Sequence, residues 1–227
     1  MHLLKAFVPV ITLLFLLSES IVNARACEEG VVDSCATSSL EQAAESAFRM
    51  AIAYSTGEGR AKDPFKAVHW MTKAALQGHL YAQFNLGEAY LNGYGVPQDY
   101  PKGIKWLKRA ANRGLADAQV SLGMQYDEGI GVVQNHKEAV RWFRAAAEQG
   151  NSDGQNNLAI AYATGSGLAE DSIHAYMWFE IARMNGHPSS ESYREKIAHD
   201  MSAEQIRAAQ ILVKRWLLKG HSGVSTL

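Results

Sequence analysis

The chain has 227 residues, 47% of them hydrophobic and 20% charged, with a formal net charge of −1. That is too apolar a composition for a disordered chain, and the length supplies ample material for a core. A charge so near balance gives, summed over the molecule, no attraction to nucleic acid or anionic lipid.

Residues 1–26 read as a secretory signal. Lys5 supplies the positive start, Ala6 to Leu17 the apolar stretch, Ser18-Glu19-Ser20 a polar break and Ala24-Arg25-Ala26 a small-x-small cleavage site. The apolar stretch is too short to span a bilayer. Its removal leaves 20 basic and 22 acidic residues. The expected product is exported, periplasmic or secreted, with no transmembrane segment. The N-terminal segment 27–39 holds both cysteines, Cys27 and Cys35. Export permits a disulfide between them, a local clip that constrains the rest of the fold little. A second reading makes Cys27 the acylated first residue of an outer-membrane lipoprotein, for which Ala24 and Arg25 are poor signal residues. Ser38-Ser39 with Glu41 and Gln42 predicts the start of a first helix.

From there the chain repeats. Trp70 returns at Trp106, Trp142 and Trp178, each 36 residues on, in step with Tyr54, Tyr90, Tyr126 and Tyr162 and with glycine pairs beginning at Gly57, Gly93, Gly129 and Gly165. Four units follow, 43–78, 79–114, 115–150 and 151–186, within a repeat region 40–186. In the second unit, Ala82, Leu86 and Tyr90 fall at i, i+4, i+8, with Gln83 and Gly87 beside them, as one face of a helix. Gly93 ends that helix, Gly95 loosens the connection, and Asp99 caps a second helix two residues before Pro101. Ile104, Leu107, Ala110 and Ala111 form its apolar stripe beside Trp106, and Gly114 closes it. Asp63-Pro64, and Asn135 with Glu138, repeat the starting signal. Each unit is thus expected to be two antiparallel helices whose apolar faces require stacked neighbours. The period-locked indoles are read as core.

After Gly186 the beat fades. Residues 187–219 are expected to form a capping helix pair. His187 to His199 supplies the first helix, and Ser202 with Gln205 starts the second. In that second helix Ile206, Ala209, Val213, Trp216 and Leu217 share one stripe. Residues 220–227 are read as a flexible tail.

The unit pattern, A-Q-F-N-L-G-E-A-Y-L-N-G-Y-G-V-P-Q-D-Y at 82–100 with W-L-K-R-A-A-N-R-G at 106–114, resembles the Sel1-like repeat family, relatives of the tetratricopeptide repeats. The likeness covers roughly 44–186, and A-Y-M-W-F at 175–179 with M-S-A-E-Q-I at 201–206 looks like the family's terminal unit. The resemblance implies an all-α fold, a right-handed α/α solenoid of antiparallel helix pairs. It also implies an adaptor or scaffold for protein partners. Some cysteine-rich relatives bind or hydrolyse β-lactams; those carry a cysteine pair within repeats, whereas residues 36–227 here contain no cysteine.

First helices line the concave surface of such a solenoid. Opposite the Ala82/Leu86/Tyr90 face, a stripe at i, i+3, i+4, i+7, i+11 changes from unit to unit. It reads Glu45, Phe48, Arg49, Ile52, Thr56; then Tyr81, Phe84, Asn85, Glu88, Asn92; then Asp117, Val120, Ser121, Met124, Glu128; then Asp153, Asn156, Asn157, Ile160, Thr164. Five acids stand there against one base, Arg49. The expected function is an exported adaptor, monomeric, that binds a peptide segment with basic and apolar residues in this groove. Phe48, Phe84, Val120 and Met124 would offer pockets, Asn85, Asn156 and Asn157 backbone hydrogen bonds, and the acids a preference for basic partners. Phe84 and Val120 lie to one side of the stripe, where packing against the next unit's first helix is the alternative.

Signals for chemistry are weak. Gly150-Asn151-Ser152-Asp153-Gly154 matches G-x-S-x-G, but Ser152 falls between two expected helices rather than on a strand-to-helix elbow. The glycine pairs lack the third glycine and the strand of a phosphate loop. The eight histidines contain no H-E-x-x-H and no i, i+4 pair. No catalytic residue, cofactor, metal or nucleic-acid partner is expected. The competing readings are a cell-wall or β-lactam hydrolase and a structural member of an envelope complex.

Overall fold

Residues 32–220 are described by the computed structural model, with side chains from Ser39 onward, and among them stand ten α-helices and no strand. The units pair α1 (Val32–Thr56) with α2 (Pro64–Leu76), α3 (Leu80–Asn92) with α4 (Tyr100–Asn112), α5 (Ala116–Glu128) with α6 (His136–Glu148), and α7 (Ser152–Thr164) with α8 (Ser172–Met184). Two further helices follow, α9 (Ser190–Asp200) and α10 (Ala203–Leu218). The helices of a unit pack on each other, and each second helix packs on the first helix that follows it, which makes an α/α solenoid. In addition α5 touches α7 directly, while no comparable contact joins neighbouring second helices. The first helices therefore lie on the inner side.

Local chemistry sets each boundary. Asp63, Asp99, Asn135 and Asp171 have extended backbones and accept the backbone N–H of Lys66, Lys102, Glu138 and His174. Gly93, Gly129 and Gly165 end the first helices in the left-handed conformation. In the later three units the second glycine of the pair does more than loosen the connection. A Cβ on Gly95 would stand 2.2 Å from the Pro64 carbonyl oxygen, and one on Gly167 2.3 Å from that of His136. Each of these loops thus lies directly on the start of the preceding unit's second helix. Gly59, in the first unit, has open space around its missing Cβ.

The first helix begins earlier than Ser38-Ser39 predicts, at Val32. No glycine or proline interrupts 32–56, and a serine caps a helix only where the chain before it departs from helical geometry. Cys35 lies within α1, but a Cys27–Cys35 pairing, the signal segment and the tail beyond Gly220 lie outside the described residues.

Ala74, Ala110, Ala146 and Ala182 are fully buried where helices cross. Trp142 and Trp178 are buried as expected. Trp70 and Trp106 are only half-buried, with Lys73 and Arg109 over their rings at 4.9 and 4.4 Å. Cationic stems rather than a further helix cover those two indoles, whereas Trp178 meets the edge of Trp216. A polar thread runs through the core. Gln83, Gln119 and Gln155 are buried and donate to the carbonyls of Ala75, Ala111 and Ala147 at the end of the preceding second helix. Their carbonyl oxygens accept from Arg113, Gln149 and Asn185 at the end of their own unit's second helix. Each amide ties two units together with both of its ends satisfied.

The end of the array does not continue the hairpin pattern of the units. Ser202 and Gln205 do form a capping box, but α9 and α10 each pack on α8 and make no comparable contact with each other. Register explains why. Positions held by exposed His69 and Lys73 in α2, and by Lys105 and Arg109 in α4, are held in α8 by Met177 and Ile181, both buried. Met177 joins the cluster to which Val213, Leu212 and Trp216 of α10 contribute. On the other flank, Glu180 of α8 accepts from Arg183 and from Arg194 of α9.

Candidate recognition groove

The variable stripe on the first helices divides into rows with different fates. The row 45/81/117/153 meets the residue that opens the following unit, which is the helix N-cap at His79, Leu115 and Asn151 and, at the end of the array, His187, two residues before the Ser189 cap. Glu45 lies 3.1 Å from His79 Nε2, Asp117 accepts from Asn151 Nδ2 at 2.9 Å, and Asp153 lies 3.6 Å from His187 Nε2. Tyr81, 52% exposed, has Leu115 at the corresponding cap position, which makes no side-chain cap bond. Acid is thus matched with a polar cap, and aromatic with an aliphatic one. His79 Nδ1 accepts the Ala82 N–H, which leaves Nε2–H to donate to Glu45. The other Glu45 oxygen accepts from Arg49 Nε, and that bond, followed by the one from His79, holds the carboxyl below its ordinary pKa.

The row 48/84/120/156 turns toward the next unit. Phe48 stacks on His79 with ring centroids 4.2 Å apart, and Phe84 packs half-buried against the cluster around Leu107 and Leu122. Val120 is buried, and so is Asn156, whose side-chain oxygen accepts from Ser190 Oγ at 2.9 Å. These two residues are corrected from partner contacts to junction residues. Their helix-wheel position faces protein, and the buried amide needs its partner.

Three rows remain open, and they line two hollows. One, of about 430 Å³ between α1 and α3, is bounded by Ile52, Ser55, Asn85, Glu88 and Asn92 over Met71, Ala89 and Tyr94. The other, of about 240 Å³ between α5 and α7, is bounded by Met124, Asp127, Glu128, Asn157, Ile160 and Thr164 over Val140 and Phe143. Asn92 donates to the Glu88 carboxylate at 3.3 Å, and His136 Nδ1 lies 2.7 Å from Asp127. Glu128 is exposed, with no hydrogen bond or ion pair among the described residues. Met124 is 43% exposed at the rim. Arg49 stays exposed at the lip. An apolar floor under a carboxylate rim suits a side chain with an aliphatic stem and a cationic head. The stripe missed the floor residues Met71, Val140 and Phe143 because they come from second helices, outside the wheel of any first helix. It missed Asp127 too, although its neighbour Glu128 was in hand.

Ser152 opens α7 between two helices, so its G-x-S-x-G match has neither strand nor elbow. Among the described residues no three His, Cys, Asp or Glu side chains stand together as metal ligands.

Four segments, 44–79, 80–115, 116–151 and 152–187, match the model of the Sel1 repeat. The structure is similar to that of c5321, a protective antigen present in uropathogenic Escherichia coli strains displaying an SLR fold. The TM-score is 0.73 and the identity 33%, covering 82% of this chain and 40% of that one. This chain therefore spans about two fifths of the length of c5321. It is also similar to a Sel1 repeat protein from Oxalobacter formigenes, with a TM-score of 0.66 and 29% identity over 78% of this chain and 73% of that one. No curated protein matches.

Proposed function

The chain belongs to the Sel1 repeat family, whose solenoid is a scaffold for protein–protein contact, and from that premise we propose that it is an exported adaptor gripping a basic, apolar segment of a partner protein. The observation that carries this reading is a contrast within the first helices. Core positions repeat, as Leu86, Leu122 and Leu158 do, whereas the row lining the hollows reads Ile52, Glu88, Met124, Ile160. A row that both varies and lies open is not set by packing and is free to serve recognition. The contact set is then Ile52, Asn85, Glu88, Asn92, Met124, Glu128 and Asn157, joined by Asp127 and Ile160. Glu45, Asp117 and Asp153 are engaged by the junction caps and contribute field rather than direct contact.

The hollows lie two units apart. With helices roughly 10 Å apart, that is a span of roughly 20 Å, or about six extended residues. The partner segment should carry Lys or Arg on apolar surroundings at that spacing. Affinity capture with the full chain, followed by competition with synthetic segments of the retained protein, tests the reading. The expected result is displacement by one such segment. A retained partner that no segment displaces would contradict the groove and make the chain a structural member of an assembly. Export rests on the charge and hydropathy pattern of residues 1–26. N-terminal sequencing of the protein from fractionated cells should find Cys27 first, outside the cytoplasm. An intact Met1 start in the cytoplasm would remove export from the account.

A further inference from the structure

The balanced total charge hides a segregation. Helices α3, α5 and α7 carry five Asp or Glu and no Lys or Arg, whereas α2, α4 and α6 carry nine Lys or Arg against two Glu. Lys66, Lys102, Lys108 and Arg144 lie against Tyr54, Tyr90, Tyr126 and Tyr162 of the first helices, and the other five cations lie on the outer side, away from the groove. On each second helix one exposed stripe repeats at i, i+4, i+8, i+11. Its exposed charged and large apolar members are Phe65, Lys73 and Leu76 on α2, Lys105 and Arg109 on α4, and Lys137, Arg141 and Glu148 on α6, with Arg141 paired to Glu138. Lys105 and Lys137 have no carboxylate partner among the described residues, and Lys73 and Arg109 lie over the half-buried Trp70 and Trp106. Phe65 and Leu76, at opposite ends of α2, are 74% and 70% exposed. In α8 the same stripe is apolar and α10 covers it. On α2, α4 and α6, where it is bare, its charged members are five cations and one acid.

We propose that this outer face docks on a membrane surface rich in anionic phospholipid. The lysines and arginines meet headgroup phosphates, their stems lie along the interface, Phe65 and Leu76 enter it, and the two indoles sit at headgroup level. Charge alone would suit any polyanion. Two large apolar side chains at that exposure, on the same stripe as the cations, gain from a surface with hydrocarbon beneath its charge, which a bare polyanion lacks. The groove then points away from the membrane, so the two faces act independently.

The test is co-sedimentation of the protein recovered from cells expressing the full chain. The probes are phosphatidylcholine vesicles and vesicles in which phosphatidylglycerol replaces part of the phosphatidylcholine. The expected result is selective binding to the anionic vesicles, lowered at least about tenfold by Lys105→Glu with Arg109→Glu and Lys137→Glu. Phe65→Ser with Leu76→Ser should lower it several-fold, and brominated acyl chains should quench fluorescence that Trp70→Phe with Trp106→Phe removes. Each variant is checked for unchanged helical circular dichroism. Where a charge-reversed variant misfolds, the same binding measured in rising salt replaces it, and a fall with salt is expected. Equal binding to both vesicles, or unaltered binding by the charge variants, overturns the proposal. So does retention on duplex DNA, or salt-sensitive self-association, in the absence of vesicle binding.

Discussion

Variation between units has two sources at the level of single residues, and they look alike in sequence. Met124 varies because it faces open space, whereas Asn156 varies because Ser190 faces it across a junction. Invariance is equally double. Gly59, Gly95 and Gly167 share a place in the repeat, yet only the latter two have a neighbour's backbone where a Cβ would go. Gly59→Ala therefore meets only the left-handed backbone penalty, roughly 1–2 kcal/mol. Gly95→Ala adds overpacking of roughly 1–3 kcal/mol. Urea denaturation should rank them in that order, and equal losses would show that the loop does not rest on Pro64. By the same logic Trp142→Ala, at a buried indole, should cost roughly 3–5 kcal/mol, and Trp106→Ala clearly less.

For whole helices, the caps were plain in the sequence. Asp63, Asp99 and Asn135 recur in register and each makes the predicted bond. What joins one helix pair to the next was less plain. Gln83, Gln119 and Gln155 repeat on an apolar face, a pattern that marks a structural amide, but their partners come from other helices and no wheel displays them. Replacing Gln119 with Leu leaves the Ala111 carbonyl and the Gln149 amide without this partner, a loss of roughly 1–3 kcal/mol measurable by thermal unfolding. The end of the array adds a pH dependence. The Arg183 bond lowers the Glu180 pKa, burial opposes it, and Arg194 adds to the lowering. A lowered carboxyl pKa stabilises the fold fully above the ordinary value of 4.5 and loses that contribution as pH falls through the lowered one. Glu180→Gln should thus lower stability at neutral pH, by roughly 1.5–3 kcal/mol, with the gap to the parent closing in acid. A gap independent of pH would remove the ion network from the account.

Across the whole molecule, one 36-residue register carries both the fold and its polarity. Because periodicity fixes which residues face the core, the four units were legible without coordinates; because it ignores what lies across a junction, Val120 and Asn156 were misplaced and the floor of the groove was unseen. The non-hairpin end was latent in the same register, at Met177 and Ile181, where cationic positions turn apolar. The central claim is that recognition belongs to open inner rows that folding does not use. Glu88→Lys combined with Glu128→Lys tests it, since Glu88 bonds only within its own helix and Glu128 has no partner among the described residues. With the captured partner segment as ligand, affinity should fall at least about tenfold while the thermal midpoint moves by no more than about 2 °C. Unchanged affinity in the folded double variant would contradict it.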